Sequence, residues 1–302
     1  MEKKLRRKKT DTVIAYVMLA PALIVFFVFI GGPLLANLFY LSMTEYSFIR
    51  APEFVGLYNF RDILQDSRTR IVFSNTFRFT AAIIPVQIIV GLALALLVHS
   101  EKRGSLSAMH RTIIYFPGIV TGSAFAIAFA FLFGTEFGAV NYILRSLGII
   151  EEAIPWTASS RWSLTIILIY SVWRTIGPRF LFFLIGLQNI PMNYVEAARV
   201  DGANSVQVFF RIKLPMLSPM MFFVALTTTI GALQIFEEPF LITGGGPLDS
   251  SRTVALFIYE IAFQRFRMGY AASLATMLFF IIFAVTVIYF ATEKYWTNYD
   301  YE

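Results

Sequence analysis

The sequence predicts an all-α, polytopic membrane protein with six transmembrane helices. Of its 302 residues, 57% are hydrophobic and 15% charged, against about 45–50% and about 25% in soluble domains. Crossing a hydrocarbon layer about 30 Å thick takes about 18 or more mostly apolar residues in one helix. Six runs qualify, at 12–43, 73–98, 112–133, 163–187, 215–243 and 270–292. The short connections leave no room for a soluble catalytic domain. Residues 1–11 read as a basic terminus, 12–292 as the membrane domain and 293–302 as a short tail.

The first run follows MEKKLRRKK, which resembles the start of a signal peptide. It is too long for one and lacks a small-residue cleavage site, so it reads as an uncleaved first span. Cysteine is absent, which excludes disulfides and thiolate metal sites. His99 and His110 alone do not make a zinc site, so no metal or cofactor is expected.

Basic residues set the orientation, because basic loops stay on the cytoplasmic side. Lys3, Lys4, Arg6, Arg7, Lys8, Lys9, Lys102, Arg103, Arg111, Arg199, Arg211, Lys213 and Lys294 fall on one side. The longer loops opposite hold fewer: Arg50, Arg61, Arg68, Arg70, Arg145, Arg161, Arg252, Arg265 and Arg267. Both termini and the loop 188–214 are therefore expected in the cytoplasm. A pI near 9.5 follows from this topology and lends nothing to a nucleic-acid reading.

Charges inside spans usually face a bundle interior or a water path. On the fourth span Tyr170, Trp173, Arg174 and Gly177 share one helical face. An aromatic face with one hydrogen-bonding head suits a sugar ring, and an interhelix aromatic contact fits the same pattern. On the fifth span Thr227, Gly231, Gln234 and Glu238 form a second stripe, with Phe236 and Glu237 beside it. Arg78 and Arg179 read as snorkelling anchors near opposite ends of their helices.

Between the fourth and fifth spans lies YVEAARVDGANSVQVFFRIKLP, residues 194–215. Its first residues are helix formers, Asp201-Gly202 breaks the run, a second short helix resumes at Ala203, and Pro215 suits the first turn of the next helix. Pattern alone allows either a docking element or a helix lying in the headgroups. Residues 244–247, Gly-Gly-Gly-Pro, read as a helix stop and tight turn.

Glu196-Ala197-Ala198, Asp201-Gly202-Ala203, then Ile212 and Leu214-Pro215 match the EAA loop, E-A-A-x3-G-x9-I-x-L-P, so the chain resembles the permeases of binding-protein-dependent ABC importers. FVGLYNF at 54–60, LITGGGP at 241–247 and FQRFRMGYAAS at 263–273 resemble the maltose and glycerol-phosphate branch, more its larger-partner subunit than the companion. The resemblance implies a type I importer permease in a prokaryotic plasma membrane, with 193–215 as a coupling loop to an ATPase. It implies a second permease subunit, two ATP-binding cassette ATPase subunits, an extracytoplasmic solute-binding protein and a carbohydrate substrate. A phosphorylated polyol or anionic sugar, welcomed by Arg174, is the alternative within that reading; a secondary transporter is the alternative outside it. No G-x4-G-K-[ST] occurs, so ATP hydrolysis falls to a separate chain and no catalytic residue is expected here. The family's pathway carries over to Gln234, Phe236 and Glu237. Glu237-Glu238-Pro239 departs from the single acidic or amide residue usual there, which leaves the second carboxylate without an implied role.

Overall fold

The computed structural model describes residues 2–47, 49, 51–101 and 104–297, with the side chains of 2–11, 13 and 30 left aside. The basic side chains of the N-terminus, Arg50, Lys102, Arg103 and the tail from Asn298 lie outside the described residues. Contacts divide the chain into two compact units, Met1–Gln65 with Ile258–Met277, and Asp66–Phe257 with Leu278–Glu302.

The first unit opens with α1 (Glu2–Val25), a wider turn at Phe26–Gly31 and α2 (Gly32–Ser42). Ile14–Ser42 is apolar enough to cross a membrane. A two-residue hairpin follows, β1 (Thr44–Glu45) against β2 (Glu53–Phe54), with Thr44 opposite Phe54, and then α3 (Tyr58–Gln65). Asn59 Nδ2 donates to the Ser42 and Thr44 carbonyls at 3.1 and 2.9 Å. Ser273 Oγ donates to the same Ser42 carbonyl at 2.7 Å. Gly269 leaves no space for a Cβ against the Thr44 carbonyl. The stretches 54–60 and 263–273 therefore belong to one packed body, joined through the residue after the first span.

The second unit is built on α4 (Ser67–His99), α8 (Ser163–Gln188) and α12 (Ser218–Leu233). Asp66 caps α4, accepting from the Arg68 N–H at 2.9 Å. Leu92, Ala95, Val98, Phe180, Phe183 and Leu217 form a buried cluster within it. Lipid is as apolar as these side chains, so close packing rather than escape from water holds such helices together, and small residues allow the approach. A Cβ on Gly186 would meet Leu217 Cδ2 at 2.8 Å, and one on Gly177 would meet Tyr115 Cα at 2.9 Å.

Two predicted spans are not straight rods. The third is α5 (Gly104–Ile119) and α6 (Gly122–Leu132), meeting at 95°. A bend at Val120 and a non-helical Thr121 separate them, two residues after Pro117-Gly118 in the last turn of α5. The fifth was expected to run unbroken over 215–243. Instead α12 meets the preceding helical segment at 62° and ends at Leu233. The chain unwinds over Gln234–Phe236 before a further turn, Pro239–Thr243, stops at Gly244 with φ +61. Backbone opened at membrane depth needs partners, and the Ile235 carbonyl accepts from Thr253 Oγ1 at 2.8 Å. Among the described residues four helices, and two bent pairs, make up to six spans by length and composition.

On the loop between the third and fourth spans, α7 (Ala139–Ser146) is tied down by Asn141. Its amide bonds Gly134, Thr135, Ile154 and the Trp156 indole. The loop after Gly244 is pinned through Asp249, which accepts from Arg68 at 2.6 and 3.0 Å and also pairs with Arg252.

Candidate functional site: a helical docking element and a polar cavity

α9 (Met192–Val200) begins after Pro191 and carries the Glu196-Ala197-Ala198 stretch. At its end Gly202 adopts φ +83. The Gly202 N–H bonds the Arg199 carbonyl at 3.0 Å and the Ala203 N–H bonds Ala198 at 2.9 Å. This pair of reversed bonds closes a helix on a left-handed residue, which glycine adopts without strain. α10 (Ser205–Val208) starts on a reciprocal cap: Gln207 N–H to Asn204 Oδ1 at 2.9 Å and Asn204 N–H to Gln207 Oε1 at 2.8 Å. That N-x-x-Q box was a readable signal for starting the helix at Ser205 rather than Ala203. A wider turn at Phe209–Lys213 leads into α11 (Leu214–Met216), and Ser218 Oγ caps back onto the Pro215 carbonyl at 2.7 Å.

Inward, Val195, Val208 and Leu217 are buried, and Phe209 and Leu214 pack on the cluster shared by α4, α8 and α12. Outward, Met192, Tyr194, Val200, Val206 and Phe210 are exposed, Val200 to 87%. Glu196, Ala197, Asp201 and Gly202 are exposed, while Ala198, Ala203, Ile212, Leu214 and Pro215 are half-buried. The exposed apolar set sits on an element whose inner side is fixed to the helices.

Farther along α8 and α12 lies a cavity of about 390 Å³. Gly231, Gln234, Phe236, Glu237 and Glu238 line it from one side, so four of the residues predicted on the fifth span and its stripe come together with Glu238. Thr227 does not line it: its hydroxyl turns back to the Phe223 carbonyl at 2.7 Å, and Thr228 takes the lining position. From α8, Ser171, Thr175 and Arg179 line the opposite side, spaced i, i+4 and i+8 on one face. Sequence reading passed over this row, having followed the neighbouring aromatic face.

Tyr170, Trp173 and Arg174 lie on that neighbouring face. Tyr170 is fully enclosed, packs on Phe129 with centroids 5.1 Å apart, and donates to the Gly122 carbonyl at 2.7 Å. Trp173 is 38% exposed and meets Phe125 edge-on at 5.3 Å. Arg174 pairs with Glu238 at 3.0 Å and with Glu237 at 3.5 Å. Gly122 makes this possible, because a Cβ there would collide with the Arg174 guanidinium. Arg174 thus joins α8 to the broken fifth span, with two carboxylates against one guanidinium. Arg179, expected to snorkel, lines the cavity instead, and among the described residues it reaches the Thr175 carbonyl at 3.5 Å.

Residues 87–295 match the family model described as binding-protein-dependent transport system inner membrane component. The chain is 37% identical over 302 residues to the probable ABC transporter permease protein YesP of Bacillus subtilis strain 168, covering 99% of this chain and 96% of that one. It is 33% identical over 285 residues to the lactose transport system permease protein LacF of Rhizobium radiobacter, covering 94% of each. Its fold superposes with a TM-score of 0.82, at 20% identity, on a chain in the crystal structure of a bacterial ABC transporter involved in the import of the acidic polysaccharide alginate, covering 98% of this chain and all of that one. This membership removes the secondary-transporter alternative. With a matched region that takes in the fourth to sixth spans, most of the cavity's lining and the helical element between Pro191 and Ser218, the chain belongs to the family of binding-protein-dependent transport system inner membrane components.

Proposed function

We propose that this chain is the permease subunit of an ATP-driven carbohydrate importer, forming half of a translocation path with a second permease subunit. Two ATPase chains dock on the cytoplasmic side and an extracytoplasmic solute-binding protein delivers the sugar. The observation that carries this reading is the Met192–Met216 element. It is anchored inward on the α4–α8–α12 cluster, exposed outward, and continuous with the helix that leads to the cavity. A displacement applied to α9 reaches Leu217 and α12 through the chain itself, a lever biased from both ends. Glu196, Ala197 and Ala198 face the ATPase groove, and Asp201-Gly202-Ala203 with Ile212, Leu214 and Pro215 hold the lever's shape. Gln234, Phe236 and Glu237 line the path, Trp173 and Arg174 flank it, and Tyr170 braces it from behind. The carbohydrate class draws on the LacF relative and on the aromatic and amide lining. Residues 1–11 and 293–302 face the cytoplasm and 12–292 form the membrane domain.

In sealed vesicles containing the assembled importer, depleting ATP or chelating Mg²⁺ abolishes uptake and a protonophore does not. Uptake that persists without ATP removes the proposal. A reporter inserted within 204–207 is cytoplasmic and one within 249–253 is outside; the reverse result removes the coupling role.

A further inference from the structure

A second cavity, of about 320 Å³, lies within the first unit. Its volume falls in the range of small-molecule sites, about 300–1,000 Å³. Two opposite charges line it, Glu45 from the β1–β2 hairpin and Arg267 from the turn before the helix Met268–Glu293, and Tyr46, Tyr58 and Tyr270 line it with them. Arg267 pairs with Asp62 at 3.2 Å and covers the Tyr270 ring at 4.6 Å. That pair engages one nitrogen of a group with five N–H donors, which leaves donors for an oxyanion.

The cavity stands where two spans end together. Ser273 bonds the last carbonyl of α2, and the Gly269 N–H bonds the Tyr46 carbonyl at 3.2 Å. The most apolar stretch of the first span has none of its residues buried, and Leu34, Leu35 and Tyr40 on its final turns are exposed. Tyr58 and Phe266, both lining the cavity, are exposed as well. Exposed aromatic side chains at the end of a span mark the headgroup level of a bilayer. A polar cavity at that level, with one acid and one base in its wall, has the chemistry to hold a zwitterion.

We propose that this cavity binds the headgroup of phosphatidylethanolamine. The phosphate sits on Arg267 with the Tyr46 and Tyr58 hydroxyls, the ammonium donates to the Glu45 carboxylate, and the acyl chains run along the exposed side of α2. A choline headgroup lacks the N–H donors that Glu45 accepts from, and a glycerol headgroup lacks the cation. The topology proposed above puts this lipid in the outer leaflet; the chemistry of the site does not depend on it.

The test uses the importer assembled with its partner subunits, purified in detergent and stripped of native lipid. Native mass spectrometry counts the lipid kept by the complex as phosphatidylethanolamine, phosphatidylcholine or phosphatidylglycerol of the same acyl chains is added. Phosphatidylethanolamine binds roughly tenfold more tightly than the other two. Arg267→Gln and Glu45→Gln each lower its affinity roughly tenfold, with the difference amounting to one lipid per copy of this chain. Asp62→Asn, which breaks the same ion pair from outside the cavity, leaves the affinity intact and so separates loss of the site from loss of the pair. Equal binding of the three lipids, or unchanged affinity in either glutamine variant, overturns the assignment. Displacement of the lipid by an equal concentration of soluble phosphoethanolamine gives the cavity to a free zwitterion, and displacement by the solute-binding protein gives it to that partner; either result overturns the lipid site.

Discussion

Gly122 decides whether Arg174 can reach its carboxylates, since any side chain there occupies the space of the guanidinium. Gly122→Val therefore pushes the half-buried Arg174 guanidinium aside and weakens its pair with Glu238. Gly231→Ala, where the Cβ finds open space, is the matching control. The thermal midpoint of the assembled importer falls clearly for the first and little for the second; equal midpoints contradict the account. Gln234→Ala removes an amide from the cavity wall and is expected to alter uptake and substrate preference with assembly intact, as measured by transport kinetics beside co-purification of the subunits. The charge on Arg174 was legible in the sequence, but its pairing was not. Glu238 lies 64 residues away, and only the unwound backbone after Leu233 brings it round. For the same reason Arg179 and Arg174 could not be told apart from pattern, although one is paired twice and the other lines the cavity without a carboxylate.

Gly202 ends α9 at φ +83, and apart from its chain neighbours no atom of the described residues lies within 4 Å of a Cβ placed there. Within the chain, Gly202→Val thus costs backbone strain alone, about 1–2 kcal/mol, without a clash. Amide exchange over 198–203 quickens while the spans stay protected; unchanged exchange contradicts the left-handed closure. Any larger loss of transport then belongs to the docked partner. Thr253→Val leaves the Ile235 carbonyl without its 2.8 Å donor and destabilises by about 1–3 kcal/mol, whereas Thr253→Ser restores the bond, as denaturation of the purified complex would register. Six apolar segments and the helix–turn–helix at 192–208 were readable, because length, periodicity, Gly202 and the turn chemistry are local properties. The 95° and 62° bends were not. Hydropathy counts residues available to cross lipid and carries no direction, and the donors that allow a break, such as Thr253, come from distant sequence.

For the whole molecule, the proposed reading has a chain without an ATP-binding sequence draw its energy through the exposed outer side of α9 and α10. The inner side of that element is fixed to the helices that carry the cavity, so docking and transport are separable in principle. Removing polar groups from the cavity spoils transport and leaves the ATPase bound; altering α9 uncouples the ATPase and leaves the cavity intact. Glu196 is exposed and, among the described residues, makes no hydrogen bond or ion pair that its loss would break. The most direct measurement is therefore Glu196→Lys in the assembled importer, scored by retention of the ATPase subunits and by hydrolysis stimulated by the solute-binding protein. Reversal of a charge at a buried interface contact costs about 2–5 kcal/mol, so the account predicts loss of both with the permease still in the membrane. Full ATPase retention with normal stimulated hydrolysis would contradict it.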